Sequence, residues 1–398
     1  MMRKLVKRDR KGSMKEDKDN LTSQTITLLR LPLTVFVVFI HYNMGVRGFS
    51  LHGVTYGLDA PEWFRWVTAF FSDVLPRTAV PLFYIISGYL FFRGGSFDTD
   101  AYRRKLRTRA STLLVPYLLW NVIAVLVQLS HRLPFLSSVF PSAHLMEVQL
   151  TPLRLFRTFF DNYWNKGILV TPENDGMVSE LPYPADVPLW YVRDLMVMVL
   201  LAPVIWWSVR RAGRWLVVVL GAVWYLRPLL SPMWGDGWGT MLLDAAFFFS
   251  WGAYYGIRGL SPLNGIRKLW PVALIYLPLA IADALTKGWE YNIFIHKAGI
   301  LLGIVAIVRI ATYLVETGKA RASAMLAGSS FLIFALHTLV MDDIGKVLFT
   351  VLHLPINTGT LLLLYFIVPS ITILFCLAVY VALRRLAPPL CRLLTGGR

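Results

Sequence analysis

Long apolar runs recur along the chain at residues 26–40, 74–92, 112–129, 189–207, 215–230, 241–257, 270–285, 293–314, 330–351 and 361–383, each bounded by charged or turn-forming residues. Most approach the ~20 residues that a helix needs to cross the hydrocarbon core of a bilayer. The pattern predicts an all-α polytopic membrane protein with about ten transmembrane helices within residues 25–385. Arg30, Asp244 and flanking polar residues interrupt the shorter runs, so the pattern also admits nine or eleven spans. Residues 1–24 and 386–398 read as polar tails. The proline-rich segment 131–188 reads as one long loop outside the membrane, with an amphipathic stretch around 153–164 suited to a lid or substrate platform. No fixed-period repeat, low-complexity tract or inverted symmetry is visible.

Composition agrees with this pattern. Of the 398 residues, 56% are hydrophobic and 16% charged, which excludes an ordinary water-soluble domain. The formal charge of +17 would fit a nucleic-acid partner only if the basic residues gathered on one face. They follow the membrane topology instead. With the N-terminus inside, the inner segments hold 26 of the 40 Lys and Arg residues and the outer segments seven. This positive-inside asymmetry predicts that both termini are cytoplasmic. Nucleic acid becomes unnecessary as a partner, and membrane lipid is expected. The first 24 residues are too long and too charged for a signal-peptide n-region, and no cleavage site follows, so the first span reads as an uncleaved start-transfer helix. Cys376 and Cys391 offer neither a disulfide framework nor a metal-ligand spacing, and no metal is expected. A homo-oligomer is neither required nor excluded.

Ionisable residues inside the spans carry the candidate chemistry. Each costs about 2.5–3.5 kcal/mol on insertion scales and needs a partner, an aqueous cavity or a function. Arg30 and His41 are eleven residues apart, so they fall within ~20° of one helix face and about 16 Å apart along the axis. A guanidinium there suits a phosphate or carboxylate, and a partly buried neutral imidazole suits general-base work. Snorkelling of Arg30 to headgroups and an interfacial hydrogen bond for His41 are the plainer alternative. Ser87-Gly88 at the end of the second run allows close helix packing or close approach of a ligand. The cluster Arg103-Arg104-Lys105-Leu106-Arg107-Thr108-Arg109 suits a phosphorylated cofactor or anionic lipid. An aromatic belt accounts for Trp190 and Tyr191; Arg193 and Asp194 beside them suggest a polar cavity open to the outside. Asp244, His337, Asp342 and Asp343 are weaker candidates, for which helix–helix hydrogen bonding is the simpler role.

In their order and spacing these motifs resemble the membrane-bound acyltransferase type 3 family, over about residues 25–385. The resemblance rests on Leu29-Arg30 with His41-Tyr42 ten residues further on, the Pro81–Leu90 segment ending in Ser87-Gly88-Tyr89-Leu90, Arg104-x-x-Arg107, Leu114–Asn121, Leu189–Leu195 and Ser329–His337. It implies a ten-helix fold, O-acylation of a glycan or related acceptor, acetyl-CoA or another acyl-CoA as cytoplasmic donor, and a bacterial inner membrane. By position it also implies that His41 is the essential histidine and Arg30 its partner. Arg30, Ser87, Gly88, Arg104, Lys105 and Arg107 are expected at the donor. Trp190, Tyr191, Arg193, Asp194 and His337 are expected at the acceptor. His41 would deprotonate the acceptor hydroxyl while Ser87 or a backbone N–H near Gly88 steadies the oxyanion. A transporter or flippase would also use intramembrane Arg, His and Asp, and a sensor or scaffold would use the outer loop; the residues alone leave both open.

Overall fold

The computed structural model describes residues 2–51, 54–94, 97–130, 152–160, 183–234 and 238–397. Most of the predicted outer loop, 131–151 and 161–182, lies outside the described residues; of its amphipathic stretch, Pro152–Arg157 is helical. All ten apolar runs fall on helix, interrupted at Leu201 and at Leu274-Ile275. The principal helices are α1 (Met2–His41), α2 (Ala79–Phe92), α3 (Thr99–Arg109), α4 (Val115–Ser130), α5 (Trp190–Leu200), α6 (Ala202–Ala212) and α7 (Arg214–Trp234). They continue with α8 (Trp238–Arg258), α9 (Tyr276–Leu285), α10 (Asn292–Glu316), α11 (Ala324–Leu352), α12 (Thr358–Leu386) and α13 (Pro388–Thr395). A two-stranded antiparallel hairpin, Phe49–Leu51 with Val54–Tyr56, is the one departure from the all-α expectation among the described residues.

Six stretches among the described residues are long and apolar enough to cross a membrane: Asp19–Arg47, Glu62–Phe92, Thr99–Val127, Asn292–Glu316, Ala324–Leu352 and Thr358–Leu386. A seventh is the pair α5 and α6, bent by 64°. The other three runs are not among them. Helices α7 and α8 have 21 residues each, about 31 Å at 1.5 Å per residue, the length of a span, and α8 carries Asp244 inside its apolar run. The third, 270–285, is a short helix broken at its middle.

Prolines shape two of the spans. Pro76 and Pro116 each lack a backbone N–H, and next to them the helices widen or tighten into π turns at Phe70–Val74 and Ala110–Leu114 and a 3-10 turn at Leu75–Thr78. The π turn after α3 joins the basic segment to the apolar run of α4. At the bundle centre α2 crosses α8 with almost no side chain between them. A Cβ on Gly88 would lie 2.1 Å from the Phe249 carbonyl oxygen, and one on Gly252 would lie 1.9 Å from that of Ile85. Such a crossing exists only where glycine permits it.

Several contacts define one face of the bundle. Asp19 pairs with Arg93 at 3.2 Å, Thr22 bonds Ser261 at 3.2 Å, and Gly396 lies against the Thr112 backbone. The tail of α13 is held there by Trp120, whose indole N–H donates to the Leu394 carbonyl at 2.9 Å. The end of α1 at Asp19, the basic helix α3 and the C-terminal helix therefore share a face, while His41 lies at the other end of α1. Gly252→Val should break the α2–α8 crossing: thermal melts of the purified variant should fall by about 4 °C or more, the shift that an overpacking cost of about 3 kcal/mol gives in a chain of this size, whereas Gly299→Ala, with nothing near its missing Cβ and an ordinary helical backbone, should shift them little.

Candidate active site

Three neighbouring spaces, each sharing wall residues with the next, run from the basic face toward the opposite one. The first is a basic mouth of about 590 Å³ beside α3, lined by Arg93, Arg104, Lys105 and Arg109 and closed on one side by Gly396-Gly397. Lys105 is anchored through a hydrogen bond to the Phe91 carbonyl, and its ammonium lies 5.0 Å over the Phe91 ring. Arg107, three residues after Arg104, is exposed and does not line this mouth. Arg109 does, one helical turn after Lys105, and it also reaches the next space.

That second space is a narrow waist of about 150 Å³ whose polar lining is Arg30, Thr34, Ser87, Arg109, Tyr191 and Ser330. Ser87 Oγ and the Tyr191 hydroxyl are 3.1 Å apart. Gly88, expected at the donor, does not line the waist: it faces α8 and serves the helix crossing, because its missing Cβ is what lets the Phe249 carbonyl approach. Tyr191 divides the waist from the third space and lines both. Its ring is fixed by Phe83 at 5.8 Å, Tyr84 at 4.6 Å and Phe334 at 6.1 Å.

The third space, the far cavity, measures about 630 Å³ and is lined by α1, α2, α5, α7, α8, α10 and α11. His41 and Trp190 open onto it. Arg30 and His41 thus line two adjacent spaces, whose common wall is made by Tyr191 and Phe334. His337 is fully buried with its ring centroid 5.2 Å from that of His41. Its Nδ1 lies 3.0 Å from the Ile333 carbonyl oxygen, which can only accept, so Nδ1 carries the proton. Nε2 is then a lone-pair acceptor without a hydrogen-bond partner, next to His41.

Arg193 and Asp194 are placed differently from Trp190 and Tyr191. They form a buried ion pair at 2.8 Å, Arg193 also donates to the Phe160 carbonyl at 2.7 Å, and neither lines the far cavity. Their mutual pairing and the Phe160 carbonyl hold them inside the protein, away from the space that their aromatic neighbours face. Nearby, Asp186 is buried against Asn121 and Thr338, and burial pushes its carboxyl well above the usual carboxylate range.

With this geometry in view, comparison with known proteins gives a direct answer. An acyltransferase domain of the type 3 kind matches residues 24–381. The chain belongs to the acyltransferase type 3 family. It is 29% identical over 389 residues to the succinoglycan biosynthesis protein ExoH of Rhizobium meliloti (strain 1021), covering 96% of this chain and 94% of that one. No solved structure matches.

In this acyltransferase the sequence reading passed over several groups of the far cavity: Arg47, Arg77, Arg227, His296 and Lys297. Arg227 and Lys297 carried the same signal as Arg30, an ionisable residue inside an apolar run. His296 belongs to a polar knot at the α9–α10 turn, where Asp283 accepts from Lys287 at 2.8 Å, Asn292 at 2.9 Å and His296 Nδ1 at 2.7 Å. Among the described residues no cluster of His, Cys, Asp and Glu has metal-site geometry.

The Arg193–Asp194 pair makes a separable prediction. Asp194→Asn alone should destabilise the acyltransferase by about 3–5 kcal/mol, as loss of one partner of a buried pair does, and the double variant Arg193→Met/Asp194→Leu should recover much of that. Thermal melts read both; equal loss in the single and double variants would contradict a purely structural pair.

Proposed function

We propose that this acyltransferase moves an acyl group, acetyl in the first instance, from cytoplasmic acyl-CoA to a hydroxyl of a glycan on the outer side of a bacterial inner membrane. In this reading all ten apolar helices span, and both termini are cytoplasmic, in keeping with the excess of Lys and Arg on the face that carries α3. The observation that carries the reading is the succession of adjacent cavities from basic mouth through waist to far cavity, with Arg30 in the waist and His41 beyond Tyr191. The role of the Rhizobium relative in succinoglycan biosynthesis supports a surface polysaccharide or its precursor as acceptor.

The mouth offers Arg93, Arg104, Lys105 and Arg109 to the phosphates of the donor. The narrow waist suits the thiol arm and a short acyl chain, with Arg30 beside it. His41 removes the proton from the acceptor hydroxyl in the far cavity, and the resulting oxygen attacks the thioester carbon. The carbonyl oxygen takes up negative charge, which the Ser87 and Tyr191 hydroxyls and the Arg30 guanidinium can stabilise from the waist. Collapse breaks the carbon–sulfur bond; the CoA sulfur leaves and recovers the proton from His41. No acyl-enzyme is required, and the side chain hydrogen-bonded to Ser87 is the Tyr191 hydroxyl, not a base. His337 Nε2, adjacent to the His41 ring, would orient that base by accepting its second N–H.

Calorimetric titration of the detergent-purified protein with acetyl-CoA tests the donor half. Saturable binding is expected, weakened about tenfold or more in Arg30→Ala, since a hydrogen bond to a charged group contributes about 1.5–3 kcal/mol. His41→Ala should leave donor binding within about threefold while abolishing acyl transfer to polysaccharide. A well-folded protein that binds no acyl-CoA, and that moves a glycan across vesicles without consuming one, would favour transport.

A further inference from the structure

Lys297 is a cation in an expensive position. It sits in the second turn of α10, 5% exposed, on the wall of the far cavity. Its ammonium has three protons to donate and makes one hydrogen bond, 2.5 Å to the Trp224 carbonyl, together with a 4.8 Å contact over the Trp224 ring. No carboxylate lies within ion-pair distance of it among the described residues. A cation–π contact contributes about 0.5–2 kcal/mol, while a buried ammonium costs several kcal/mol. The fold alone therefore gives a poor account of why lysine stands there, where methionine would pack as well.

The surroundings supply the missing reason. The same cavity is lined by Arg47, Arg77 and Arg227 as well as Lys297, against two carboxylates, Asp244 and Asp342. Asp186, between Ala185 and Val187 of the cavity wall, does not itself line the cavity, and burial pushes its carboxyl well above the usual carboxylate range. Trp190 gives an aromatic wall on which a sugar ring can lie. We propose that the far cavity is a binding site for an anionic saccharide, whose carboxylate or phosphate is anchored by Lys297 with help from Arg227. The proposal rests on the reading of this cavity as the acceptor side and makes it more specific: the acceptor carries negative charge close to the hydroxyl that is acylated. That charge comes either from an acidic sugar or from the diphosphate of a lipid-linked one, and the same ammonium serves both.

The full chain in detergent is titrated with three probes: a gluco-oligosaccharide containing one glucuronate, its neutral counterpart, and a glucosyl diphosphate ester of a short isoprenol. Quenching of tryptophan fluorescence reads binding, since Trp190 and Trp224 line the cavity. At least one anionic probe should bind about tenfold or more tighter than the neutral one, the factor that one charge-assisted hydrogen bond gives. Preference for glucuronate alone assigns the charge to the sugar; preference for the diphosphate alone assigns it to the lipid linkage. Lys297→Met should erase the preference, Lys297→Arg should keep it, and Arg227→Gln should reduce it in part.

Melting temperature separates this role from a structural one. Removing a poorly compensated buried charge should leave the Lys297→Met melt unchanged or higher. Equal binding of all three probes, no binding of either anionic probe, or a preference retained in a folded Lys297→Met protein would overturn the proposal. Acetyl-CoA is titrated into the same samples. Loss of acetyl-CoA binding with the anion preference intact would count against the transfer reading and still support this site.

Discussion

A charged side chain inside a hydrocarbon core persists only where protein groups or water replace its hydration, and that constraint organises the molecule. Arg30, His41, Arg193, Asp194, Arg227, Asp244 and Lys297 all stand on helices that the sequence marks as apolar. The bundle meets the constraint in two ways. Arg193 and Asp194 neutralise each other at 2.8 Å and are sealed in. Arg30, His41, Arg227, Asp244 and Lys297 instead line cavities. The first solution fixes helices relative to one another, and the second creates the polar path along which a membrane enzyme can bring together reactants from two sides.

The cavities in turn depend on close helix packing elsewhere. The α2–α8 crossing at Gly88 and Gly252 brings two backbones into direct contact, and α2 carries Ser87 on its other side toward the waist. The π turn at Ala110–Leu114 lets the basic helix α3 feed directly into a span while Arg109 reaches both mouth and waist. Tyr191, clamped by three aromatic rings, stands between the waist and the far cavity and lines both. In the proposed chemistry the acyl group has to cross only the thickness of that one residue.

Much of this was legible in the chain itself. Apolar run length located the principal helices apart from the basic α3 and the C-terminal α13, because a bilayer-spanning helix needs about 20 apolar residues in a row. Helical period put Arg30 and His41 on one face, and both do line the path. What period could not tell was which way a residue at a crossing turns. Gly88 looks like a ligand-contact residue beside Ser87 and is a packing residue. Arg193 and Asp194 look like continuations of Trp190-Tyr191 and point into protein. The register of the basic cluster was open until the helix was seen, when Arg109 joined Arg104 and Lys105 and Arg107 turned outward. Lys297 and Arg227 were as visible as Arg30 by composition, but only the convergence of α7, α8 and α10 gives them a common cavity. The count of spans is the least legible quantity, since α7 and α8 have the length of a span yet carry Arg227 and Asp244 inside it.

The central claim is that one path joins the two faces, with Ser87 reached from the basic side and His41 from the other. Cysteine labelling tests it without knowledge of the acceptor. Ser87→Cys and His41→Cys would be introduced separately into a Cys376→Ser/Cys391→Ser background and reconstituted in sealed vesicles, then treated with a membrane-impermeant thiol reagent from each side. The account predicts that Ser87→Cys reacts only from the side bearing α3 and is protected by acetyl-CoA, while His41→Cys reacts only from the opposite side. Reaction of both from one side, or indifference of Ser87→Cys to acetyl-CoA, would contradict it.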